Sequence, residues 1–279
     1  MSRRLIINAD DLGANPQRTH GILQCFEFGI VRSASLFPNF SDSEKAAKHA
    51  REKGLPVGLH LNLVEEEPLC KPGDIASLLE ADGRFFNRDK LWGLLDEGRV
   101  ETEHLEREIR AQFEWCHDQG LTLTHVSGNW DCHVHPAVLA ALLPLLERFG
   151  LRFVRIPCEE PLPPAGFEVP EEQLAEIRRI NERAKAARGF LSAHDIASTD
   201  HFRGHTLLGN SSLKNLRHIL TRLPEGTTEL MVHPGSQCGF GTPFDLDPQR
   251  QTELRMLTDE SIPLLLTERK IELISWAEL

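Results

Sequence analysis

The stretch Arg4-Leu5-Ile6-Ile7-Asn8-Ala9-Asp10-Asp11-Leu12-Gly13-Ala14-Asn15-Pro16 decides the fold. A short apolar run ends on two aspartates. Asn15-Pro16 then supplies an N-cap and a proline at the first helical position of a helix that stops at Gly29. Strand 4–9 followed by helix is half of a βα unit, and the pattern recurs. Further strands are predicted at 30–37, 56–63, 121–128, 151–156, 228–232 and 271–275. Helices are predicted at 44–54 (capped by Ser41 or Ser43), 101–119, 136–149, 171–188, 211–223 and 248–269. Residues 65–100 form an insertion, and the proline-rich segment 157–170 reads as a βα loop over the site. β-rich runs alternating with helices predict a mainly parallel sheet. The expected fold is α/β: one domain over residues 1–279, a distorted TIM-like (β/α) barrel of about seven or eight mainly parallel strands.

Composition narrows the function. The 279 residues carry 31 Lys and Arg against 42 Asp and Glu, a net charge of −11, so the basic excess that nucleic-acid binding needs is missing. The same charge opposes anionic lipid surfaces. Asp10 and Asp11 interrupt the first apolar run too early for a signal peptide, no run approaches the ~18 residues of a membrane span, and the expected location is the cytoplasm. The six Cys are scattered without a C-x-x-C pair and read as buried thiols. The chain has 13 His and no Tyr, which directs attention to metals and to imidazole acid/base chemistry.

In a parallel βα fold, polar residues at the carboxyl ends of strands line the site, because the βα loops gather at that edge. Four clusters meet this condition: Asp10-Asp11, His60, the exit Thr124-His125-Val126-Ser127-Gly128-Asn129-Trp130-Asp131-Cys132-His133-Val134-His135-Pro136, and Val232-His233-Pro234-Gly235. Each has a structural alternative. Paired aspartates after a strand serve as a helix cap, and a lone strand histidine is commonly a hydrogen-bonded core group. In an extended chain, residues 125, 127, 129, 131, 133 and 135 face one side, a polar stripe costly to bury without purpose. Carboxylates and imidazoles converging from separate strands suit a divalent metal with an acid/base pair.

The run Asn8-Ala9-Asp10-Asp11-Leu12-Gly13, the strand Gly58-Leu59-His60-Leu61, the exit His133-Val134-His135-Pro136 and Val232-His233-Pro234 occur in an order that resembles the YdjC family of carbohydrate deacetylases. Val64-Glu65-Glu66-Glu67-Pro68, Ala81-Asp82-Gly83-Arg84-Phe85, Glu108-Ile109-Arg110-Ala111-Gln112-Phe113 and Val154-Arg155-Ile156-Pro157 are most similar to the hopanoid biosynthesis-associated branch. The resemblance covers nearly the whole chain. It implies a TIM-like barrel that removes acetyl groups from N-acetylated sugars, free, oligomeric or lipid-linked. Asp11 and His60 would hold a divalent cation, Mg²⁺ or Zn²⁺, Asp10 would be the general base and His233 the acid. Arg155 would orient Asp10, and His133 would have an orienting or substrate-binding role. The outer face of such a barrel leaves a homodimer open.

One position departs from the family pattern. Members of this type show His-x-His-x-His-x-His-Pro at the strand-four exit, and a gapless match sets Asn129 where the third metal-binding His stands, with Ser127 where Asp or Asn is usual. An amide oxygen is a weaker ligand than imidazole for zinc-like metals but suits a hard cation. Asp131 and His133 are the substitutes for it. The alternative function is a sugar binder with an impaired metal site. An ordinary metal-barrel amidohydrolase or phosphoesterase fits less well, since those place His-x-His after the first strand.

Overall fold

The computed structural model describes residues 2–160, 168–237, 239 and 241–279. Its centre is β1 (Arg3–Leu12), buried from Leu5 onward because strands lie on both sides of it. Asn15 accepts the Arg18 amide hydrogen and Pro16 opens α1 (Pro16–Phe28), as the sequence predicts. β2 (Ser33–Leu36), α2 (Ser43–Lys53) and β3 (Val57–Leu61) complete the next unit. Neither serine caps α2 as expected. Asp42 occupies the cap position without a side-chain bond, and Ser43 Oγ instead accepts from the Phe40 N–H.

The insertion holds two 3₁₀ turns and α3 (Arg88–Asp96), then α4 (Thr102–Asp118) leads into β4 (Leu123–Gly128). α5 (Pro136–Arg148) and α6 (Glu171–Ser192) follow, with β5 (His201–Arg203), α7 (Leu213–Leu220) and β6 (Gly226–Val232) after them. α8 (Pro243–Leu246), α9 (Gln249–Leu257), α10 (Ser261–Glu268) and β7 (Ile271–Ile274) close the chain. The predicted helix 248–269 is therefore two helices: Asp259 turns back to accept from the Ser261 N–H and breaks it.

All strand pairs are parallel, in the order β4-β3-β2-β1-β6-β5, with β7 pairing the first half of β1 where β2 has not yet begun. Predicted strand 151–156 is reduced to single bridges, Val126 to Val154 and Phe153 to Ala197, and Ala197 leads into β5. The sheet thus curls round as a distorted TIM-like barrel. Much of the proline-rich segment, 161–167, lies outside the described residues. Among the described residues no helix is long and apolar enough to cross a membrane. Cys25, Cys116 and Cys132 are buried free thiols, whereas Cys70 and Cys158 are half-buried and also free.

Candidate active site

Two consecutive strand residues ordinarily point to opposite faces. Asp10 and Asp11 escape this through a bulge: between Ala9 and Leu12, β1 advances three residues while β2 advances only from Ala34 to Leu36. Asp11 takes the extra step at φ 69°, and both carboxylates then lie in the field of His60 and His233.

Asp10 is buried and clasped by Arg155, whose Nη2 donates to Oδ1 at 2.7 Å and whose Nη1 donates to Oδ2 at 2.5 Å. Asn8 Nδ2 also donates to Oδ1 at 2.7 Å. Oδ1 thereby has both acceptor sites filled, while Oδ2 keeps one in reserve. Burial pushes the carboxyl pKa up, but Arg155, with help from His60 and His233, overcomes it and holds Asp10 well below the usual range. Arg155 in turn rests on buried Glu229 of β6, donating from Nε at 3.0 Å and Nη2 at 2.7 Å to Oε1. Burial raises the Glu229 pKa in spite of that pairing. Glu229 is a functional candidate that sequence reasoning missed, since a glutamate in Thr227-Thr228-Glu229-Leu230 looks like an outward-facing strand charge.

His60 sits 3.5 Å from Asp11, Nε2 to Oδ1. A hydrogen-bond relay places a proton on its Nδ1. Thr124 Oγ1 donates to the Val57 carbonyl at 3.2 Å, an acceptor only, so it must accept from His125 Nδ1 at 3.0 Å. Burial drives the His125 pKa far down and keeps the ring neutral, so its Nε2 accepts from Ser35 Oγ at 3.1 Å. Ser35 then accepts from Ser127 Oγ at 2.8 Å, and Ser127 accepts from His60 Nδ1 at 2.8 Å. His60 thereby carries a proton on Nδ1, and its other nitrogen, Nε2, is the one that faces Asp11 Oδ1, an arrangement in which a cation could be shared between them. Gly58 makes room for the relay: a Cβ there would lie 2.4 Å from the His125 ring.

The other oxygen of Asp11 lies 3.4 Å from Arg18 Nη1. Burial raises the Asp11 pKa, but His60, Arg18 and His233 outweigh it and hold the group at about 2. Arg18 also donates to the His233 carbonyl at 3.3 Å and spans to Asp245 at 3.2 Å. It reaches there because Gly21 of α1 lets the Gly235 backbone approach; a Cβ at Gly21 would sit 2.6 Å from Gly235 Cα. The His233 backbone N–H donates to Glu253, whose Oε1 is held by Arg250 and Ser211. The half-buried imidazole meets the edge of Phe244, ring centroids 5.4 Å apart. Desolvation pulls its pKa down, against Asp11, Asp10 and Glu253.

The strand-four exit differs from the expected stripe. β4 ends at Gly128, and Trp130 (φ 50°) and Asp131 (φ 54°) take the left-handed conformation inside a 3₁₀ turn, so residues 125–135 do not share a face. Asn129 Nδ2 donates to Asn62 Oδ1 at 3.0 Å. Asp131 turns away to His205, Oδ2 to Nε2 at 3.1 Å. His133 is buried, and its Nε2 donates to the Arg155 carbonyl at 3.0 Å, so it contacts the backbone that carries Arg155 and not the open site. His135 caps α5 through the Ala137 N–H. Among the described residues no three His, Cys, Asp or Glu side chains converge as a metal cluster. Asp11 and His60 nevertheless fit two donors of a divalent cation, with the second imidazole nitrogen fixed by Ser127 in the manner of a metal-binding histidine.

The chain matches the family described as YdjC-like protein over residues 4–268. It is 33% identical to a carbohydrate deacetylase of Mus musculus, covering 97% of this chain and 93% of that protein. It is 30% identical to a carbohydrate deacetylase of Brevibacillus brevis, covering 99% of each. An Enterococcus faecalis V583 protein described as a cellobiose-phosphate cleavage protein superposes with a TM-score of 0.78 at 21% identity, over 100% of this chain and 99% of that one, and shares its fold. With the match running from β1 into α10, this chain belongs to the YdjC-like family.

Proposed function

We propose that this chain is a divalent-metal-dependent hydrolase that removes the acetyl group from an N-acetylated sugar of the N-acetylglucosamine type. The observation that carries the reading is the division of labour between adjacent aspartates. Asp10 is bound to Arg155 and stays ionised, while Asp11 is turned by the bulge to face Nε2 of His60. Asp11 and His60 would hold the cation, with the Asn129 amide oxygen as third donor. Bound there, the cation supplies Lewis acidity to the acetamide carbonyl and to the attacking water. Asp10 takes the water's proton on Oδ2, the oxygen with acceptor capacity left, and Arg155 keeps that oxygen in place. His233, anchored through both backbone groups, protonates the departing amine. With no Tyr in the chain, no phenol assists the oxyanion. Incubation with N-acetylglucosamine oligomers and Mg²⁺, Mn²⁺, Co²⁺ or Zn²⁺, followed by an acetate assay, tests the reading. Acetate release supports it, and no acetate with any cation on any acetylated sugar, lipid-linked ones included, overturns it.

One observation favours a second reading, a sugar binder with an impaired metal site: the Asn129 amide is tied to Asn62 where family members carry imidazole. Calorimetric titration with the same cations separates the two. Sugar binding without cation uptake below millimolar would support the binder.

A further inference from the structure

Trp130 is 51% exposed, while Trp276 is buried and Trp92 and Trp115 are half-buried. The other large apolar side chains exposed among the described residues, Phe28, Leu246 and Leu264, lie on helices. Trp130 stands on the turn leaving β4, at the sheet edge that carries Asp10, Asp11 and His60. Its backbone is left-handed, a conformation disfavoured for a bulky residue. Both neighbours are pinned, Asn129 to Asn62 at 3.0 Å and Asp131 to His205 at 3.1 Å, and the turn between them directs the indole outward. The Arg88 guanidinium lies 5.1 Å from the ring centroid and is itself held by Glu176 at 3.0 Å. Beside the ring, Asn62 continues the row of amides by donating to Asn39 Oδ1 at 3.3 Å.

We propose that Trp130 is the stacking platform for the second pyranose ring of a glycan substrate, the residue through which this chain distinguishes a glycan from a free monosaccharide. The proposal rests on the deacetylase reading and deepens it. An exposed indole offers a flat apolar face to the C–H face of a sugar at little cost in side-chain entropy. The half-buried Arg88 guanidinium and Asn129 amide beside it are hydrogen-bonding groups suited to hydroxyls, and buried Asn62 holds the Asn129 amide in place. Trp130 belongs to this chain's own turn, and its strained backbone persists because a use for the outward ring repays it.

The test is calorimetric titration of EDTA-treated protein with the β-1,4-linked trimer of N-acetylglucosamine and with the monosaccharide, for wild type, Trp130→Phe and Trp130→Gly. Glycine accepts φ 50° without strain, so Trp130→Gly removes the ring while its melting temperature holds or rises. We expect the wild type to bind the trimer at least tenfold tighter than the monosaccharide. Trp130→Gly abolishes that preference, Trp130→Phe keeps most of it, and the trimer quenches the wild-type indole fluorescence. Equal binding of trimer and monosaccharide by the wild type overturns the proposal, as does unchanged trimer affinity in Trp130→Gly, while acetate release leaves the deacetylase reading standing. A Trp130-dependent dimer with unchanged sugar affinity also overturns it, assigning the ring to a chain–chain contact. If no acetylated sugar binds and none yields acetate, both fall together.

Discussion

His60 Nε2 and Asp11 Oδ1 face each other across 3.5 Å, and the far nitrogen of the imidazole, Nδ1, has its proton committed to Ser127. That placement is dictated from a distance by the Val57 carbonyl, which orders every donor from Thr124 through His125, Ser35 and Ser127. A carboxylate oxygen and an imidazole nitrogen held this close are two donors that one cation could share. The relay ties together three strands, β2, β3 and β4.

Ser127→Ala breaks the relay next to His60 and frees its ring to change tautomer. Cation affinity measured by calorimetry should fall about 10- to 100-fold, the usual cost of losing the hydrogen bond that orients a ligating histidine. Nitrogen-15 NMR of the apo protein should show His60 as one Nδ1–H tautomer in the wild type and a mixture in the variant. A single tautomer in both would remove the relay from the explanation.

Arg155 pairs with two buried carboxyl groups, Asp10 and Glu229. Arg155→Met should therefore cost about 3–5 kcal/mol in urea unfolding, mostly from charges left unpaired. Glu229→Gln in that background should recover part of the loss, because burial already favours the neutral form of Glu229. Arg155→Lys keeps the charge but not the two-pronged clasp, and should fold while losing turnover. Additive losses in Arg155→Met/Glu229→Gln would contradict the pairing.

His133 is buried with its Nδ1 unpartnered, and desolvation lowers its pKa to about 4, against Asp131. Near pH 5 the unfolded imidazole, with its pKa of about 6.5, binds a proton that the folded one refuses. Its contribution is present above about pH 6.5 and is lost as pH falls toward 4, a change of about 3 kcal/mol. His133→Gln should flatten the acid limb of stability against pH by that order in urea titrations between pH 7 and 4. An unchanged limb would show that the ring titrates equally in both states.

Much of this architecture is legible in the chain. The apolar run into Asp10-Asp11, the Asn15-Pro16 cap and the leucine alternation around His60 each carry a local signal strong enough to place an element. The failures have physical causes. β5 is three residues long, His201–Arg203, and its charged ends hide a strand whose only buried member is Phe202. The stripe from 125 to 135 fails because Trp130 and Asp131 adopt positive φ without the glycine that normally announces it. Glu229 and Arg18 were invisible because their partners, Arg155 and Asp11, are far away in sequence.

Asn129→His installs the imidazole that the family resemblance implies at this position. If Asn129 stands at a ligand position, the variant should bind Zn²⁺ or Co²⁺ at least tenfold tighter, about 1.4 kcal/mol, by calorimetry. Unchanged affinity would mean that residue 129 serves only its bond to Asn62.

The most direct measurement is acetate released from N-acetylglucosamine oligomers by wild type and Asp10→Asn, prepared with equal bound cation as verified by metal analysis. Asp10→Asn keeps Asp11 and His60 and removes the carboxylate that accepts the water's proton and pairs with Arg155. Wild type should turn over and the variant should be slower by about 10³-fold, within the range of a lost general base. No acetate from the cation-loaded wild type, or equal rates from the two proteins, would contradict a deacetylase built on Asp10.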